Sequence, residues 1–150
     1  MSSSEPRSEE YLVVRLGDEY YALAGSAVRE VARWRPPTPV PGAPAILPGI
    51  INQRGVVLPA VDLRHLLGLA ATQSDRATRL VIIHQNSVRL ALIVDAALDL
   101  LVLQRDDLLP PPVGLSPQRA RLLHAVTQYE AHPLQVFSME ALMTTIQEAE

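Results

Sequence analysis

Asp62, Arg64 and His65 share the stretch "VDLRH", where a carboxylate beside an imidazole is the chain's nearest approach to acid and base machinery. A simpler reading accounts for all three. An aspartate just before "LRHLLG" caps the backbone donors of a short helix, Leu63, Leu66 and Leu67 form its buried face, Gly68 ends it, and Arg64 and His65 face outward. Asp95 and Asp99 are four apart, a helical spacing, but their flanks read as strand, so they make a poor carboxylate pair. His84, His124 and His132 stand alone without metal spacing such as HExxH, and no serine lies in GxSxG. The chain has no cysteine, and all 13 basic residues are arginine, which removes thiol nucleophiles, thiolate metal sites, Schiff-base lysines and Walker lysines. Its seven glycines stand singly, so nothing cradles a phosphate, and no cofactor or metal is expected.

A different residue lacks a structural excuse. In "GIINQRGVVLPAVDLR", Gly49 to Arg64, the runs "IIN" and "VVLPAV" read as strands and "NQRG" as their turn, with Gly55 suited to the left-handed position. Arg54 is then exposed at a tip.

The elements around it read as mainly β. "YLVVRLGDEYYALA" is run, turn, run, a hairpin; "SAVREVARW" offers Ser26 as a cap and one helical turn entering a strand. Prolines 36, 37, 39, 41, 44 and 48 then force an ordered surface loop before the Arg54 hairpin. After the polar "AATQSDRAT", "RLVIIHQNSVRLALIVD" repeats the hairpin, and "HPLQVFSMEALM" repeats the strand, cap and helix of "VLPAVDLRHLL", with Ser138 in the place of Asp62. The likeness predicts an internal duplication of two small antiparallel barrels, about 11–70 and 78–150, inside one domain 11–150 behind a disordered tail 1–10, with a binding groove between them.

Composition narrows the partners. With 150 residues, 48% apolar, the chain can bury one sizeable core or two adjoining ones. Net charge is -3, much of the acid lies at the termini, no basic stripe exists and only 4% is aromatic, so nucleic acid is not an expected partner. No run approaches the roughly 20 apolar residues of a membrane span, and "MSSSEPRSEE" lacks a signal-peptide core. Cytoplasm is the default.

"AVREV", a proline-rich loop, "GIINQRGVVLPAVDLR" and "RLALIVD", in that order and spacing, resemble the CheW family of chemotaxis coupling proteins from roughly Tyr11 to Gln147. The resemblance implies two five-stranded, SH3-like β-barrels and an adaptor without catalytic activity or cofactor. It implies two partners: the cytoplasmic tip of chemoreceptors and the regulatory domain of a chemotaxis histidine kinase, itself similar to CheW. Location would be cytoplasmic, at membrane-associated receptor arrays. Val28, Glu30, Gly49, Asn52, Arg54 and Gly55 match positions near receptor or kinase contacts, whereas Pro59, Asp62, Leu63 and Arg64 match the "PxxDLR" portion, where architecture dominates. A face around Val28, Ile50 and Val56 is expected to be apolar and to bind the kinase domain. The chain departs from the family at Gln53, usually apolar, at Ala91 and Ala125, usually glycine, and at Ser138, usually aspartate. Nothing follows the domain, so no fused receiver or kinase is expected. Two other functions stay open: a small β-barrel enzyme using Asp62 and His65, and a scaffold that self-assembles through edge strands.

Overall fold

The computed structural model describes residues 7–70 and 73–149. Ten strands carry the fold: β1 (Ser8–Leu16), β2 (Glu19–Ala24), β3 (Val28–Arg33), β4 (Gly49–Gln53), β5 (Val56–Asp62), β6 (Arg79–Gln85), β7 (Val88–Val94), β8 (Ala96–Gln104), β9 (Leu123–Tyr129) and β10 (His132–Phe137). Three helices are short: α1 (Leu63–Leu66), α2 (Pro117–Leu122) and α3 (Met139–Glu148). The hairpins close where the sequence places turn residues, with Gly17 at φ 60° between β1 and β2 and Asn86 at φ 55° between β6 and β7. Asp62 and Ser138 cap α1 and α3 as expected, each accepting a backbone N–H of the first turn. Ser26 lies in a single 3-10 turn but does not cap it. Helix α2 was not legible in the pattern, although Ser116 caps it and Pro117 opens it. The expected tail 1–10 is too long, because Ser8 to Glu10 already pair with β8; residues 1–6 lie outside the described part.

The strands form two five-stranded sheets, ordered β8-β1-β2-β10-β9 and β3-β6-β7-β5-β4. The likeness of the two halves is real, since β1–β2 and β6–β7 are equivalent hairpins, each flanked by one antiparallel strand and one parallel strand. The expected division into barrels 11–70 and 78–150 is not how the strands pair. Each half gives its first hairpin to one sheet and its last three strands to the other, because the chain crosses between sheets at Gly25–Ala27 and again at Asp95. Nor do the sheets close into barrels. Each is open, with β8 and β9, or β3 and β4, as edges, and two of those edges are capped by loops that bridge Thr38 to Ile50 and Leu109 to Val126. The Thr38 bridge takes both backbone groups of Ile50, so Ile50 and Pro59 are a non-hydrogen-bonded pair and the missing proline donor costs the β4–β5 ladder nothing.

The central strands bury residues of both faces through most of their length, although Val56 and Val57 at the start of β5 are exposed. Leu12, Val14 and Leu16 of β1 join Leu23, Val61, Val81, Leu92 and the helix residues Leu63, Leu142 and Ile146 in one core between the sheets. The alternate residues Tyr11 and Val13 fill the inside of their own sheet, and Leu58, Leu80 and Ile93 do the same in the other. A buried ion pair pins the second crossing. Asp95 accepts Arg64 Nη1 at 3.0 Å and the Gly17 N–H at 2.6 Å, while its own N–H donates to the Arg15 carbonyl at 3.0 Å. Arg64 is therefore not an outward residue as the helical reading expects: it is 5% exposed, turned back past Asp62 at 3.2 Å to reach Asp95. His65 does face solvent.

Two outcomes follow from this topology. Fragments 1–75 and 76–150 should each fail to unfold cooperatively alone and should regain the β circular dichroism spectrum when mixed, because each lacks the hairpin its sheet needs; an independently folded fragment would refute the exchange. Asp95→Ala should lose about 3–5 kcal/mol in urea unfolding, since it removes one partner of a buried ion pair; a loss under about 1 kcal/mol would show that the pin is dispensable.

Candidate functional site

The β4–β5 hairpin has a two-residue loop, Arg54 and Gly55, both with positive φ (53° and 84°), the signature of a type I′ turn. Asn52 Oδ1 steadies it by accepting the Gly55 N–H at 2.9 Å. Glycine suits its position. Arginine does not suit the other, where asparagine, aspartate or glycine avoid a cost of about 1 kcal/mol for a left-handed backbone.

What holds Arg54 is a chain of polar contacts across the open edge of the sheet. Glu30 on β3 accepts Arg54 Nε at 3.0 Å and Nη2 at 3.3 Å, and its Oε1 also accepts Gln53 Nε2 at 3.0 Å. Gln53 Oε1 in turn accepts Arg35 Nη2 at 2.6 Å, and that nitrogen also donates to the Asn52 carbonyl. Edges β3 and β4 are thus joined by side chains where no ladder joins them. Arg54 beside Glu30, and then Gln53, hold that carboxyl below its ordinary range, and Glu30 raises Arg54. Even so, the Arg54 side chain is 78% exposed.

Two concavities meet at Glu30. One, of about 280 Å³, lies at the hairpin tip, with Val56, Leu58 and Ile82 below a rim that includes Arg29, Arg54 and Arg89. His84 belongs to that rim and meets Arg29 at 3.2 Å. The other, of about 500 Å³, is the groove between β3 and β8, lined by Leu12, Val28, Val31, Leu98 and Leu100. Leu98, Leu100 and Val102 recur at every second residue of β8 and are 42%, 58% and 63% exposed, an apolar stripe of the kind that marks a contact surface. Sequence reading passed over this stripe and over Arg35. The period-two alternation in "ALDLLVLQ" was its available signal, obscured because Leu101 and Leu103 between the stripe residues are apolar as well.

The residues expected at contacts occupy three settings. Glu30, Asn52, Arg54, Gly55 and Val56 gather at the tip. Val28 lines the groove instead, and Ile50 lies on β4 opposite Pro59, so the three apolar residues of the expected face are half-buried or exposed but do not share one concavity. Gly49 is buried beneath the proline-rich loop, where a Cβ would collide with the Thr38 backbone. Pro59, Asp62, Leu63 and Arg64 form the strand end, cap and anchor already described. Asp62 and His65 make no acid–base pair: Asp62 Oδ1 accepts from Arg64, and His65 points to solvent. Asp95 and Asp99 likewise have separate partners, Asp99 accepting the Tyr129 hydroxyl at 3.4 Å. Among the described residues no cluster of three metal-ligating side chains occurs, and no helix is long and apolar enough to cross a membrane.

Two open sheets exchanging hairpins, with an arginine-tipped loop beside an apolar groove, define a β module whose distinctive features lie on its surface. Residues 10–147 match the CheW-like domain, and the chain belongs to that family. It is 38% identical to the chemotaxis protein CheW of Rhizobium meliloti over 103 residues, 69% of this chain and 66% of that one. With the chemotaxis protein CheW of Bacillus subtilis it shares 27% identity over 143 residues, 95% of this chain and 92% of that one. The crystal structure of the scaffolding protein TtCheW from Thermoanaerobacter tengcongensis superposes with a TM-score of 0.79 at 24% identity, covering 93% of this chain and 90% of that one.

The Glu30 contact has a titration signature. Its carboxyl is depressed when folded, so the Arg54 contact stabilises above the unfolded carboxyl's midpoint and is lost as pH falls through the folded one. An NMR titration of Glu30 should show a midpoint below the ordinary glutamate value that moves back up in Arg54→Ala; an unchanged midpoint would mean that the two charges do not meet.

Proposed function

We propose that this chain is a non-catalytic adaptor that couples chemoreceptors to a chemotaxis-type histidine kinase in the cytoplasm, at membrane-associated receptor arrays. Family membership supports the class of function. The observation that carries the site is Arg54 itself: a poor residue for its turn, exposed, and held upright by Glu30. Structure alone does not require it, and a partner does.

The geometry favours two surfaces for two partners. The β3–β8 groove, with Val28, Val31, Leu98 and Leu100, suits the apolar face of a helix, the form in which a helical receptor tip presents itself. The Arg54 tip, with Val56 and Val57 41% and 60% exposed, suits a second β module such as the kinase regulatory domain. The Asp62 and His65 enzyme reading finds no support, since neither residue lines the tip cavity or the groove.

Calorimetric titration with the regulatory domain of a chemotaxis-type histidine kinase from the same genome tests this. Wild type should bind saturably, Arg54→Glu at least about tenfold more weakly, and Leu100→Glu as wild type, because reversing one charge of a close interfacial contact costs more than about 1.4 kcal/mol. The reverse pattern would exchange the two surfaces. Absence of binding to every such domain in the genome would overturn the coupling role.

A further inference from the structure

The sheet β3-β6-β7-β5-β4 has an inside, filled by Leu58, Leu80, Ile82 and Ile93, and the Arg54 hairpin stands at one mouth of it. Leu58 and Ile82 belong both to that inner cluster and to the cavity of about 280 Å³ at the hairpin tip, so the cavity is the mouth. Three further strands bring charge to its rim. Arg29 is the unpaired residue of a bulge in β3, where Val28 faces Ile83 and Glu30 faces Ile82, and His84 and Arg89 are cross-strand partners on β6 and β7. Every lining residue and its chain neighbours are among the described residues.

The rim's positive charge is not balanced from within. Glu30 is the one acid in the lining, and both its oxygens are engaged, Oε1 by Arg54 and Gln53 and Oε2 by Arg54. Among the described residues Arg29 and Arg89 form no ion pair. The Arg29 guanidinium meets a ring nitrogen of His84 at 3.2 Å, a contact that offers no carboxylate. Two exposed guanidiniums therefore stand beside an apolar floor, a surface complementary to a carboxylate carried next to an apolar group. The volume falls just below the roughly 300–1,000 Å³ of small-molecule pockets, which suits an inserted side chain better than a free ligand. We propose that this mouth is a socket for one aspartate or glutamate of the kinase regulatory domain, its carboxylate received by Arg29 and Arg89 and an apolar neighbour lying on Val56, Leu58 and Ile82. The inference rests on the coupling role argued above, and it adds the chemistry that the partner must present there.

The probe is the regulatory domain of a chemotaxis-type histidine kinase from the same genome, titrated calorimetrically into the full chain. Arg29→Gln with Arg89→Gln should weaken its binding at least about tenfold at low salt, and high salt should narrow that gap by screening the wild-type contact. Both side chains are exposed and outside the core, so the variant should keep the β circular dichroism spectrum. A control that removes the same net charge elsewhere, Arg76→Gln with Arg121→Gln, should bind as wild type. Changing the domain's exposed acids one at a time to their amides should find one whose loss weakens binding to wild type and no longer weakens binding to the double variant. Undiminished binding by the double variant, an equal loss in the control, or no such acid would overturn the socket and leave the coupling role standing. Self-association of the wild-type chain that the double variant abolishes would give the mouth to a second copy and overturn it too. A domain that fails to bind wild type at all would overturn the coupling role, and the socket with it.

Discussion

The contact on which the architecture depends is the buried pair of Arg64 and Asp95. Asp95 stands at the single residue between β7 and β8, where the chain leaves one sheet for the other. Its carboxylate gathers a donor from each side, the guanidinium that follows β5 and the N–H of the β1–β2 turn. Two charges this deep repay their desolvation only when geometry is good and the remaining lone pairs and protons are matched. Here they are matched: Asp95 takes the Gly17 N–H, Arg64 also meets Asp62, and no buried side-chain nitrogen or oxygen among the described residues lacks a partner. Such a pair contributes specificity of placement. It fixes how the sheets meet where apolar packing alone would permit sliding.

The other crossing solves the same problem with small residues. Between β2 and β3 the chain passes through Gly25, Ser26 and Ala27, and Gly25 lies so close to the Glu10 carbonyl that a Cβ would approach within 2.9 Å. One crossing is held by steric closeness and the other by charge. Together they make the exchange of hairpins obligatory, which gives the fold long-range pairings and couples both sheets into one cooperative unit.

Local rules were legible in the sequence, and pairing was not. Turns at Gly17, Asn86 and Gly55, the caps Asp62 and Ser138, and the repeat of hairpin, strand and helix follow from residue types at short spacing. Which hairpin joins which strands does not, because an apolar strand buried on both faces carries no mark of its neighbour. Arg64 fails for a related reason. Helical spacing placed it on the solvent side of α1, but an arginine stem is long enough to fold back, and only the three-dimensional position of Asp95 shows why it does. Gln53 is the converse case. As a departure from an apolar position it looks like a weakened contact, yet it links Arg35 to Glu30 and braces the tip.

Duplication supplies a way to separate scaffold from function inside one chain. Where equivalent places differ in residue but keep their role, the role is architectural. Asp62 and Ser138 both cap a helix; Gln53 reaches Glu30 across one open edge as Tyr129 reaches Asp99 across the other. The two tips share a backbone as well, Glu130 and Ala131 taking positive φ like Arg54 and Gly55. Their charges do not repeat. The edge contact therefore needs an acid and its partner one residue before the tip, and Arg54 adds a second grip that the other sheet does without. Its charge is a feature of this tip that the duplicated scaffold does not repeat, which sets it apart from the edge contact that both sheets share.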